Sequence, residues 1–212
     1  MAYDLEEQEQ LASLKAWWNQ YGNLVVLALL AAALAFAAFE GWRYWQRTQA
    51  AGAAAVYGEL QKAQRSGDGK KVRDLAGMLI DKYPRTVYAP LGALASAKAA
   101  FLAGDAKTAR VQLAWAAENA KDPEIQAIAR IRLATVLYDE KAYDEALKVL
   151  DAGPPGEPFE GLFAAVRGDV LAAKGAKSEA RAAYTRALDR LGRNDPAARE
   201  ALQIKLDALG AG

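Results

Sequence analysis

The sequence predicts an all-α protein, with one N-terminal transmembrane helix followed by a domain of repeated helical hairpins. Three observations predict it. Residues Ala16 to Phe39 form a run of 24 without a formal charge. Beyond that run, apolar residues recur at helical spacing, and no segment alternates in the way a half-buried strand does. The equivalent residues Val72, Ala109, Ala146 and Ala180 follow one another at intervals of 37, 37 and 34, the period of a two-helix repeat.

The first element is the membrane helix. Leu24 to Phe39 contains only Leu, Val, Ala and Phe. Its nine larger apolar residues contribute roughly −3 to −5 kcal/mol on the membrane-insertion scale, against about +3 for a single central charge. The uncharged run reaches roughly 36 Å as a helix, enough for a hydrocarbon core of about 30 Å. Trp17, Trp18 and Tyr21 precede the apolar stretch Leu24 to Phe39, and Trp42, Tyr44 and Trp45 follow it, where interfacial aromatic belts belong. A cleaved signal peptide needs a short basic start, yet Asp4, Glu6, Glu7 and Glu9 stand here against Lys15. Orientation does not follow from flanking charge. Lys15 lies before the run and Arg43 and Arg47 after it, which taken literally leaves the C-terminal part cytoplasmic. The difference is one residue, and long domains cross with little regard to such counts.

The later elements are helices of about 12 to 18 residues, cut by breaks at Ser66-Gly67-Asp68-Gly69, Tyr83-Pro84, Ala103-Gly104-Asp105, Asp122-Pro123, Gly153 to Pro158, Lys174-Gly175 and Asn194-Asp195-Pro196. Short connections favour antiparallel neighbours. The sharpest hairpin carries Gly168, Leu171, Gly175, Ala180, Tyr184 and Ala187, a tetratricopeptide pattern in which small residues let helices approach and large ones fill the space between. Weaker copies carry Leu133, Ala134, Leu137, Ala146 and Leu150 before Pro158. A further copy has Gly104, Ala109, Leu113 and Ala116 before Pro123, and another has Val72, Leu75, Ala76 and Leu79 before Pro84. The amphipathic segment Asp195 to Leu209 is placed to cap the open end of the stack. The chain thus divides into a short acidic tail (1–15), a transmembrane helix with aromatic flanks (16–45) and a tetratricopeptide-like repeat domain (46–212).

Composition narrows the chemistry. With no cysteine and no histidine, thiol nucleophiles, disulfides and Cys/His metal sites are excluded. No Gly-rich phosphate cradle precedes a helix, so no catalytic, cofactor or metal residues are assigned and an enzyme is not expected. A formal net charge of +1 supplies no electrostatic footprint for nucleic acid. The acidic pairs Asp139/Glu140 and Asp144/Glu145 read as solvated charge at a helix junction. Lys70, Lys71 and Arg73 read as a solvated helix start, whose other use is contact with anionic membrane lipid.

Stacks of this kind bind extended segments or partner helices on the concave face. By repeat position, that face takes Leu94, Lys98 and Phe101 from one hairpin. It takes Ile131, Thr135 and Tyr138 from the next, and Asp169 from the last. Their mostly apolar character makes burial under the neighbouring repeat the alternative to a partner-binding groove.

Some stretches are more specific. They are the start Tyr3-Asp4-Leu5-Glu6-Glu7-Gln8-Glu9-Gln10, then Leu14-Lys15-Ala16-Trp17-Trp18-Asn19, Gly41-Trp42-Arg43-Tyr44-Trp45 and the segment from Arg167-Gly168-Asp169 to Ala183-Tyr184. In that order they resemble the YfgM family of proteobacterial inner-membrane proteins, ancillary subunits of the SecYEG translocon, over nearly the whole length. The resemblance implies a single-pass protein with a cytoplasmic N-terminus and a periplasmic repeat domain. It further implies association with SecYEG and the membrane-anchored chaperone PpiD, assistance to exported polypeptides as they emerge, and a tail acting in stress-response regulation. The competing expectation is a structural scaffold of an envelope or division complex that never touches translocating clients.

Overall fold

The computed structural model describes the backbone of residues 2–191 and 195–210, with side chains from residue 10 onward. Asn194 and the side chains of residues 1–9, with the acidic start, lie outside the described residues. The helices are α1 (Ala2–Arg65), α2 (Gly69–Lys82), α3 (Tyr88–Leu102), α4 (Ala106–Asn119), α5 (Pro123–Asp139), α6 (Tyr143–Asp151), α7 (Glu160–Ala173), α8 (Lys177–Arg190) and α9 (Pro196–Ala208). One 3-10 turn lies at Glu157–Phe159. Two lengths depart from expectation. Helix α1 runs for 64 residues because nothing in it stops a helix: the first proline of the chain is Pro84, and the isolated glycines Gly41, Gly52 and Gly58 are tolerated. Helix α6 has only 9 residues, halted by Gly153-Pro154-Pro155.

The chain forms two compact units, residues 1–49 and 50–212. In the first, the helix is long and apolar enough to cross a membrane. Its large side chains point outward, Leu27 being 67% exposed and Leu34 72%, as lipid-facing residues must be. The aromatic groups pair within themselves, with ring centroids of Trp17 and Tyr21 5.9 Å apart and those of Trp42 and Trp45 5.2 Å apart.

In the second unit, four hairpins follow one another: the end of α1 with α2, α3 with α4, α5 with α6, and α7 with α8. Their turns share one construction. Gly67, Gly104, Lys141 and Gly175 hold φ of 73°, 77°, 61° and 86°, the left-handed conformation that ends a helix. In each turn the next residue's N–H bonds back to the carbonyl five positions earlier: Asp68 to Ala63 (3.0 Å), Asp105 to Ala100 (2.9 Å), Ala142 to Leu137 (2.8 Å) and Ala176 to Leu171 (2.9 Å). Asp68 and Asp105 then cap the following helix by accepting from the N–H of Lys71 and Thr108, both at 3.0 Å. Ala142 and Ala176 stand at the matching places and have no side-chain cap.

The interior of each hairpin is a matched pair of residues separated by 16 positions (60 to 76, 97 to 113, 134 to 150, 168 to 184): Leu60 with Ala76, Ala97 with Leu113, Ala134 with Leu150, and Gly168 with Tyr184. All eight are buried. Each pair joins a large residue to a small one, a combination that lets helices approach while filling the core. The last pair is the tightest. A Cβ on Gly168 would lie 2.4 Å from the Tyr184 ring.

The longest connection, between α6 and α7, is fastened by Arg130 of α5. Arg130 donates to the carbonyls of Gly153 (2.7 Å) and Pro154 (3.0 Å) and lies 5.0 Å over the Phe163 ring. At 8% exposure, burial pushes its guanidinium pKa down. Helix α9 closes the stack. Leu202 is buried, and Arg199 donates to the carbonyls of Leu188 (2.6 Å) and Leu191 (3.2 Å) at the end of α8.

Candidate partner-binding groove

Along α3, Leu94, Lys98 and Phe101 recur at one-turn spacing and so share a face. Across from them α5 presents Arg132, Thr135 and Val136, and Leu113 of α4 forms the floor. Together with Ala97 these residues enclose an open cleft of about 350 Å³. Four of the seven residues expected on the concave face therefore line one cleft: Leu94, Lys98, Phe101 and Thr135. Phe101 is 46% exposed, so its ring is available at the cleft's edge.

The other three lie outside that lining. Ile131 and Tyr138 are half-buried against the core. Ile131's carbonyl accepts from the Thr135 hydroxyl at 3.0 Å, and the Tyr138 ring sits 6.1 Å from Tyr143. Asp169 is the position equivalent to Lys98 and Thr135, yet it is already engaged. Its carboxylate accepts from the Tyr184 hydroxyl at 2.7 Å and from the Lys205 ammonium of α9 at 2.7 and 2.8 Å. Burial, then the hydrogen bond to Asp169, pushes the Tyr184 pKa far above its ordinary 10.0. Asp169 therefore fastens the last hairpin to its cap.

Sequence reasoning missed Arg132 and Val136. Both sit on a helix in which polar residues are scattered among apolar ones without a single periodic face, so its periodicity marked no outward side. It also dismissed Lys70 and Arg73. A second cleft, of about 510 Å³, opens between the end of α1, α2 and α3, and gathers Lys70, Arg73, Lys98 and Leu102. Lys98 lines both clefts. The acidic residues near the third turn are ion-pair partners between hairpins: Arg110 pairs with Glu145 and lies 3.7 Å from Glu140, and Lys174 pairs with Asp144. Asp144 in turn raises the Lys174 pKa. No group able to hold a metal occurs among the described residues.

Residues 15–211 match the family described as tetratricopeptide repeat-like domain. The ancillary SecYEG translocon subunit of Neisseria gonorrhoeae is 35% identical over 210 residues, covering 99% of this chain and 100% of that protein. The chain belongs to the ancillary SecYEG translocon subunit family. Within this family, the Haemophilus influenzae protein is 30% identical over 187 residues, covering 88% of this chain and 91% of its own length. That of Aggregatibacter actinomycetemcomitans is 28% identical over 209 residues, covering 99% and 100%. The similarity includes the apolar helix as well as the repeats, and it bears out the resemblance seen in the sequence.

Proposed function

We propose that the chain is a membrane-anchored scaffold that serves as an ancillary subunit of the SecYEG translocon and links it to chaperones such as PpiD. The observation that carries this reading is the full-length similarity to relatives named ancillary SecYEG translocon subunits. It joins one apolar helix to a repeat stack with an open cleft. The division of labour is a cytoplasmic tail over 1–15, an inner-membrane span over 16–45 and a periplasmic repeat domain over 46–212. The cleft around Leu94, Lys98, Phe101 and Thr135 holds the partner or an exported polypeptide, and Ile131 and Tyr138 stiffen its wall. No nucleophile or cofactor takes part; the work is binding.

Site-specific photo-crosslinking from Phe101 and Thr135 tests the function. Labelling of translocon subunits, chaperone or nascent secreted chains is the expected result. Labelling confined to envelope-assembly proteins would overturn it in favour of a structural scaffold. An alkaline phosphatase fusion after Gly212 tests the topology: activity is expected, and a stable but inactive fusion overturns the periplasmic placement.

A further inference from the structure

We propose that the two clefts sharing Lys98 form one continuous docking strip for an extended polypeptide segment in which apolar side chains alternate with carboxylates. This deepens the scaffold reading and rests on it. The first observation is charge. Lys70, Arg73, Lys98 and Arg132 line the two clefts, and none has a carboxylate within the 4.0 Å of an ion pair among the described residues. No acidic side chain lines either cleft. Asp105, whose charge reaches Arg73, is committed to capping Thr108.

The second observation is the repeat itself. Where Asp169 marks this position in the last hairpin, the neighbouring helix answers with Lys205 and the charges cancel. At the equivalent Lys98, the neighbouring helix supplies Arg132, a second cation. Like charges facing one another repel, and a guest carboxylate relieves both. The third is apolar surface beside those cations: Phe101 at 46% and Leu102 at 76% exposure are large and adjacent, one on each cleft. A strip with charges spread along two clefts and a notch sized for a large side chain or two suits a polypeptide. A lipid headgroup concentrates its charge at one point.

The test uses the full-length protein in phosphatidylcholine nanodiscs and a fluorescein-labelled peptide that repeats Asp-Leu-Glu-Phe, followed by anisotropy. The control peptide repeats Lys-Leu-Lys-Phe. The acidic peptide should bind and the basic one should not. The double variant Arg73→Glu/Lys98→Glu, with circular dichroism unchanged, should weaken binding by about tenfold or more, and Lys98→Gln by roughly two- to fivefold. Equal binding of the two peptides, or indifference to both variants, overturns the proposal. So does a result in which no peptide binds and phosphatidylglycerol nanodiscs alone protect Lys70 and Lys98 from amine labelling, because the strip then serves lipid. Crosslinks from Phe101 to translocon partners without any preference for acidic segments defeat this inference and leave the scaffold reading standing.

Discussion

Gly168 and Tyr184 show how far a single atom matters in this stack. Adding a methyl group at Gly168 places it 2.4 Å from a ring that is only 2% exposed, so one helix must shift. Gly168→Ala should therefore cost about 1–3 kcal/mol, read as a lower urea midpoint. The other hairpins supply the remedy. Ala97 is matched by a buried Leu113 and Ala134 by a buried Leu150 sixteen positions on, so Gly168→Ala combined with Tyr184→Leu should recover much of the loss; a strictly additive double mutant would refute the matched-pair account. Tyr184 also sets an alkaline limit. Its pKa is raised in the folded state, so its contribution is complete below the free phenol's 10.0 and is lost as pH rises through the folded value. The urea midpoint should fall more steeply above about pH 10 in the wild type than in Tyr184→Phe. The Gly168–Tyr184 pairing was legible because both residues stand out in sequence. The Asp169 clamp was not: Lys205 is 36 residues away, and a carboxylate on a helix face gives no sign of its partner.

At the scale of the element, the four turns were predictable from their glycines in three cases. The exception is Lys141, at φ 61°, where a side chain occupies a conformation that costs roughly 1–2 kcal/mol. Lys141→Gly should stabilise the protein by about 0.5–1 kcal/mol after the greater unfolded-state freedom of glycine is counted. A decrease in melting temperature would show that the Lys141 side chain makes a compensating contact. Arg130 holds the longest connection. Arg130→Met keeps most of the volume but frees the carbonyls of Gly153 and Pro154. It should destabilise the third hairpin by about 2–3 kcal/mol, with faster hydrogen exchange around residues 152–160 as the local signature. Sequence periodicity located α5 and gave no hint of this role, because an arginine inside an apolar helix looks like an ordinary outward-facing charge.

For the whole molecule, stability in a repeat array is a sum of hairpin terms and neighbour terms. Helix α9 supplies the final neighbour through Leu202, Arg199 and Lys205. Truncation after Asp195 should speed exchange in α7 and α8 by at least tenfold while leaving α2 and α3 nearly unchanged; uniform loss of protection would show a single cooperative core instead. The repeat period and the apolar run were enough to foresee this architecture, since both are written in residue spacing. The cation-lined clefts were not, since they exist only where residues from three helices converge.

The matched pairs at 60/76, 97/113, 134/150 and 168/184 have an evolutionary corollary. Each pair lies wholly inside one hairpin, so the fit that decides helix spacing is inherited with that hairpin and owes little to its neighbours. Aligned relatives should show the two positions of a pair changing together, bulk migrating from one to the other, while pairs in different hairpins drift independently. A hairpin can then be duplicated, lost or exchanged as a cassette, and the length of the stack becomes an easier trait to alter than the composition of any one interior.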